Sequence, residues 1–175
     1  LFFDLRDSTG MAERMSTEEL SQLLSQTFGD MIDLVQAVGG SINKFTGDGF
    51  LATFGCPEAL EDHEKRAVEC AVNIRGYMKI ANQVIDPPLR YGMGIGTGRI
   101  FAGNVGNHKK IEYTVLGDAV NVAARLEGLT KKAGVDILID GTTRDALGAD
   151  YTFKKIIVSK IRGKAEAVRI FHPVA

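Results

Sequence analysis

The chain has 175 residues, 45% hydrophobic and 25% charged, with a net charge of -1. That length supports one domain with a substantial core, and the composition is that of an ordinary soluble globular protein. The near-neutral charge gives no electrostatic case for binding nucleic acid or a membrane surface. No apolar run approaches the ~20 residues of a membrane span, and no signal peptide is evident. Cys56 and Cys70 lack metal-ligand spacing and read as reduced packing residues. These features favour a cytoplasmic setting. The sequence opens abruptly inside an apolar strand, so residues 1–175 read as a single domain excised from a longer chain, whose membrane anchor, if it has one, lies elsewhere.

Leu1 to Leu5 is a predicted strand, apolar except for Asp4. An acid inside such a strand is costly to bury unless it is paired or binds a metal; a strand-end Asp that caps the next helix is the plainer reading. Arg6 to Met15 reads as a loop or short helix. Ser16-Thr17-Glu18-Glu19 fits a capping box. Leu20, Leu23, Leu24, Phe28, Met31, Leu34, Val35 and Val38 then recur at helical spacing until Gly39-Gly40. Ile42 to Gly55 reads as strand, tight turn, strand around Gly47-Asp48-Gly49. Alternation puts Ile42, Lys44 and Thr46 on one face, and Asn43 and Phe45 on the other. Asp48 has little bulk beside it, so a ligand or metal could approach closely; turn formation alone also accounts for it.

A second helix is predicted from Asp62 to Val84, with Ala67, Ala71, Ile74, Met78 and Ala81 facing the core and His63 at the surface. Pro87-Pro88 forbids further helix. Leu89, Tyr91, Met93, Ile95 and Thr97 alternate with Arg90, Gly92, Gly94 and Gly96. This is a strand with one bare face, over which a helix packs closely. Ile100 to Val105 and Ile111 to Leu116 are strands joined by the polar loop Asn107 to Lys110, which holds His108. Asp118 is placed to cap a helix from Ala119 to Lys132, with Val122, Leu126, Leu129 and Ala133 facing the core. Asn121 and Arg125 share another face at i, i+4. Strands at Val135 to Ile139, Tyr151 to Val158 and Val168 to Phe171 follow, with a short helix at Thr142 to Leu147 and a basic loop at Lys160 to Lys164. The leading order predicts an α+β fold with a ferredoxin-like βαββαβ core. The sheet is mainly antiparallel with helices on one face, and further strands and helices follow. The uncovered face calls for a partner, most simply a second copy.

Two acids on neighbouring strand ends are what a pair of hard divalent cations needs, with phosphate supplying further oxygens. Asp4 in FFDLRDST, Lys44 and Asp48 in KFTGDGF, and YTVLGDAVNVAARLE from Tyr113 to Glu127 together resemble the class III nucleotidyl cyclases. The resemblance covers nearly the whole chain, in order and spacing. It implies closure of ATP to 3',5'-cyclic AMP with release of pyrophosphate. By this resemblance Asp4 and Asp48 hold two Mg²⁺ or Mn²⁺ ions per site, and the Leu5 carbonyl helps with one. Arg125 contacts the transition state, Asn121 orients the ribose, and Arg99 and Lys164 contact phosphate. The sequence departs from the family's frequent Gly-Phe-Thr by having Asp7-Ser8-Thr9.

For the base, Lys44 can only donate, which suits adenine N1 and not guanine N1; Thr114 can accept from the 6-amino group. Guanylyl cyclases resemble this family with Glu and Cys at these positions. Threonine at 114 is similar to the bicarbonate-responsive subgroup, which makes bicarbonate a candidate activator. The family pattern further implies a homodimer with shared sites. Asp4, Asp48 and Arg99 come from one copy, and Lys44, Thr114, Asn121, Arg125 and Lys164 from the other. A guanylyl cyclase and a catalytically inactive cyclase-like module are the competing readings; Lys44 argues against the first, and the complete residue set against the second.

Overall fold

The computed structural model describes residues 1–149, 151–156 and 168–174. Its elements run β1 (Phe2–Arg6), α1 (Ser8–Arg14), α2 (Thr17–Ala37), β2 (Ser41–Phe45), β3 (Gly49–Thr53), α3 (His63–Ala81) and β4 (Arg90–Ile95). They continue as β5 (Phe101–Asn107), β6 (Lys110–Leu116), α4 (Asp118–Ala133), β7 (Ile137–Asp140), α5 (Gly141–Ala146), β8 (Phe153–Ile156) and β9 (Ile170–Pro173). The main sheet has the order β2-β3-β1-β4-β7-β9-β8, and its first four strands are the expected ferredoxin-like unit, paired antiparallel. β7 joins β4 in parallel, and β9 and β8 complete the edge antiparallel. Lys164 and the basic loop around it lie outside the described residues.

Strand alternation sorts β1 onto two faces. Phe3 and Leu5 enter the main core with Phe50, Met93, Ile74 and Met78 beneath α2 and α3. Phe3 stacks on Phe50 at 5.1 Å and on Tyr91 at 5.8 Å, and meets Phe28 edge-on at 6.5 Å. Asp4, between Phe3 and Leu5, is thereby turned to the opposite face. That face is also covered, which corrects the expectation of helices on one side only. α4 lies across it, and Val122 and Leu126 form a second core with Leu138 and Ile170. The glycine run of β4 makes this possible. A Cβ on Gly94 would sit 2.1 Å from the Ala123 carbonyl oxygen, and one on Gly96 2.7 Å from that of Ala119. The close helix read from the sequence is therefore α4.

Local chemistry sets most boundaries. Ser16 and Glu19 form the reciprocal capping box at the start of α2. Asp118 does not cap α4: Gly117 holds the cap position and Asp118 is the first helical residue. An acid there still favours the positive end of the helix dipole. His63, expected at the surface, is half-buried in the first turn of α3, with Nδ1 3.3 Å from the Glu64 carboxylate.

The hairpin departs from simple alternation. Pairing slips between Ile42, opposite Ala52, and Lys44, opposite Leu51, which leaves Asn43 as a bulge. Ile42 packs on the main core and Phe45 lies 5.7 Å from Phe28, on the same side. Lys44 thus projects to the α4 side, opposite Ile42, and not alongside it as expected. β5 and β6 form a separate two-stranded ribbon with Phe101, Val105, Ile111, Tyr113 and Leu116 exposed. Among the described residues no helix is long and apolar enough to cross a membrane.

The contact between β4 and α4 makes a prediction. Gly94→Ala forces a methyl group against backbone, and relief requires α4 to move. Overpacking of this kind typically costs about 1–3 kcal/mol, and contact with backbone puts this site toward the upper end. Denaturant unfolding should show that loss, while Gly128→Ala, where a Cβ meets nothing within 4 Å, should be neutral or stabilising.

Candidate active site

Asp4 and Asp48 are brought together by backbone pairing. Asp4 lies opposite Gly49 across β1 and β3, and the Leu5 amide donates to the Asp48 carbonyl oxygen at 3.0 Å. Gly49 has no room for a side chain, because a Cβ would sit 2.3 Å from the Phe3 carbonyl oxygen and 2.7 Å from an Asp4 carboxylate oxygen. Gly47 takes a positive φ of 86° and turns the chain so that Asp48 faces Asp4. The Ser8 hydroxyl donates to the Asp48 carboxylate. Burial first, then the neighbouring Asp48 charge and the hydrogen bond between the carboxyl groups, push Asp4 up to about 6.

Asp4, Leu5, Asp48, Ser8 and Thr9 line one open cavity of about 360 Å³ at the start of α1. Asp7 lies at its edge, in the left-handed conformation with φ 67°. Its carboxylate is 3.5 Å from Arg14 and 3.6 Å from Arg90. Two guanidinium groups thus engage the acid that departs from the family pattern.

Glu127 of α4 lines the same cavity, and its role is not apparent from the sequence pattern alone. Burial, then Asp4 and Asp48, push it up to about 7 against the opposing pull of Arg6. Arg6 fixes α4 to β1 by donating to Thr130 Oγ1 at 2.8 Å and to the Val135 carbonyl oxygen at 3.0 Å. Three carboxyl groups therefore face one half-buried space, an arrangement that favours a cation. Among the described residues no three His, Cys, Asp or Glu side chains converge closely enough to hold a metal by themselves. Asp4 and Asp48 fit a hard divalent cation that takes its remaining oxygens from backbone carbonyl, water and phosphate.

A second cavity, of about 480 Å³, opens between the end of β3, the start of α4 and the ribbon, with Leu51, Phe54, Val115, Val120 and Ala123 among its walls. Lys44 lies opposite wall residue Leu51, and Thr114 precedes wall residue Val115. Tyr113 Oη lies 3.9 Å from Cys56 Sγ, linking the ribbon to the segment after β3. Lys44 is exposed and Thr114 half-buried. Asn121 is exposed on α4 and Arg125 half-buried one turn on; neither lines the acidic cavity. Arg99 is exposed in the loop between β4 and β5. One chain therefore gathers Asp4, Leu5 and Asp48, and leaves Lys44, Thr114, Arg99, Asn121 and Arg125 away from that cavity.

Residues 1–172 match the family described as the adenylate and guanylate cyclase catalytic domain. The chain is 32% identical over 178 residues to adenylate cyclase 1 of Rhizobium meliloti (strain 1021), covering 99% of this chain and 27% of that protein. It thus spans little more than a quarter of that relative's length. The fold matches the adenylyl cyclase CyaB from P. aeruginosa with a TM-score of 0.88 at 29% identity, over 99% of this chain and 91% of that chain. It matches the guanylyl cyclase Cya2 with a TM-score of 0.84 at 32% identity, over 98% and 88% of the two chains.

The acid pair can be titrated directly. Asp4 lies above the ordinary carboxyl range, so ionisation is harder in the folded protein than in the unfolded chain. This destabilisation is absent below about pH 4, grows as pH rises, and is complete above about 6. Carbon-13 NMR of labelled aspartate, without metal, should show Asp4 titrating near pH 6. Asp48→Asn should lower that midpoint, though not to the ordinary value, because burial remains. An unchanged midpoint would show that the two carboxyls are not coupled.

Proposed function

This chain belongs to the adenylate and guanylate cyclase catalytic domain family, and from that premise we propose that it is an adenylyl cyclase. It converts ATP to 3',5'-cyclic AMP and pyrophosphate at sites shared between two copies. The observation that carries the reading is the convergence of Asp4 and Asp48 on one cavity beside Ser8 and Thr9. Overall likeness does not choose the base, since an adenylyl and a guanylyl cyclase superimpose almost equally well. The choice rests on Lys44 and Thr114. Lys44 donates to adenine N1 and Thr114 accepts from the 6-amino group, whereas guanine N1 would present a hydrogen to the lysine donor. The cavity of about 480 Å³ next to their neighbours Leu51 and Val115 offers room for the base.

Two divalent ions, Mg²⁺ or Mn²⁺, held by Asp4, Asp48 and the Leu5 carbonyl would polarise the ribose 3'-hydroxyl and offset phosphate charge. The protein supplies alignment for in-line attack on the α-phosphate. Arg125 presents a permanently charged fork as charge builds on that phosphate. Asn121 orients the ribose, and Arg99 and Lys164 bind phosphate. The start of α1, with Asp7 engaged by Arg14 and Arg90, leaves Ser8 and Thr9 to approach the phosphates. Asn121 and Arg125 stand away from the acidic cavity of their own chain, which supports service to the site of a second copy. The exposed apolar ribbon of β5 and β6 supports a dimer contact.

Incubation with ATP or GTP and Mn²⁺, followed by chromatography, tests this. Cyclic AMP from ATP is expected, with near-complete loss in Asp48→Asn at an unchanged fold; wild-type-like turnover in that variant would remove the metal assignment. In the same assay Lys44→Glu with Thr114→Cys should lower ATP turnover and raise relative use of GTP. One mismatched buried donor costs roughly 1–3 kcal/mol, about ten- to a hundredfold, and unchanged selectivity would show that the pair does not read the base. Thr114 also motivates activation by bicarbonate; at fixed pH and ionic strength, a rate equal to the chloride control would exclude it.

A further inference from the structure

We propose that Glu127 is a positioning residue for the metal site, accepting hydrogen bonds from water on the cation that Asp4 and Asp48 hold. The inference rests on the metal reading above and adds a carboxylate that the family's residue pattern does not assign. Three observations carry it. First, Glu127 comes from α4, yet lines the cavity that Asp4 and Asp48 line from β1 and the hairpin. Second, Gly92, the β4 residue opposite Asp4, leaves it room: a Cβ there would lie 2.3 Å from Thr130 Oγ1 and 2.7 Å from Glu127 Oε1. Any side chain at position 92 would therefore displace it. Third, the three side chains do not by themselves form a closed metal cage among the described residues, and a role through bound water needs no such closure. A half-buried acid held near two others is repelled by them, and a glutamine of the same shape would pack as well. A divalent cation reverses the sign of that interaction. Mg²⁺ sheds its water reluctantly and keeps several molecules when bound, and those molecules need acceptors at the distance of an outer carboxylate. Arg6, anchored to Thr130 and Val135, holds this part of α4 against β1.

The test measures binding without turnover. Calorimetric titration of Mg²⁺ into the protein, with an ATP analogue whose α,β-bridge is a methylene group, gives the half-saturating Mg²⁺ concentration. In Glu127→Gln that concentration should rise about 10- to 100-fold, the usual effect of removing an outer-shell partner. The melting temperature without metal should stay the same or rise, because a repulsive charge is gone. Asp48→Asn is run beside it. If Asp48→Asn weakens Mg²⁺ binding and Glu127→Gln stays within twofold of wild type, this inference is overturned and the metal site stands. If neither variant changes Mg²⁺ binding, the metal reading and this inference fall together. If Glu127→Gln instead lowers the metal-free melting temperature without changing Mg²⁺ binding, the residue is structural and the inference is also overturned.

Discussion

The pairing of β1 with β3 is the constraint on which the rest depends. It sets Asp4 opposite Gly49, and the hydrogen bond from the Leu5 amide to the Asp48 carbonyl draws the hairpin tip against the same strand. Two carboxylates are then side by side because backbone geometry leaves them no alternative. The stack of buried Phe3 and Phe50 with half-buried Tyr91 holds the register from behind. A slip of one residue would turn Asp4 into the apolar core and Phe3 out of it, so the hydrophobic layer enforces the position of the acids. Repulsion between the acids raises the Asp4 pKa, and a cation bound between them would offset it by attracting both.

α4 does two things at once. Its inner face closes the sheet through Val122 and Leu126 and the glycine run of β4. The same helix carries Glu127 toward the acid pair of its own chain, while Asn121 and Arg125 stand clear of that cavity. On the proposed shared-site reading, the same helix completes one site and supports another in a second copy, which accounts for the two separate groups of residues in one chain.

Much of this was legible in the residues because it depends on local chemistry. Ser16 and Glu19 announce a capping box, Gly47-Asp48-Gly49 announces a tight hairpin, and Gly92, Gly94 and Gly96 announce a close helix. What was not legible depends on contacts between distant segments. The bulge at Asn43 exists because Ile42 and Phe45, three residues apart, both pack on the core side, and alternation alone cannot place both there. Asp118 looks like a cap, but Gly117, with φ 158°, holds that position. The second covered face, the partners of Asp7 and the placement of Glu127 all come from tertiary packing. Ser8 is part of the departure from the family pattern, yet only the folded hairpin brings Asp48 to its hydroxyl.

In the proposed dimer a complete site takes its acids from one copy and Asn121 and Arg125 from another. Asp48→Asn spoils both sites of its own homodimer, and so does Arg125→Ala. When the two inactive proteins are mixed and allowed to exchange subunits, one site of each heterodimer inherits both defects and the other inherits neither. Cyclic AMP formation should then return, at no more than half the wild-type rate per heterodimer. Continued inactivity after exchange has been verified by mass would contradict it, and would place the acids and the arginine in the same chain's site.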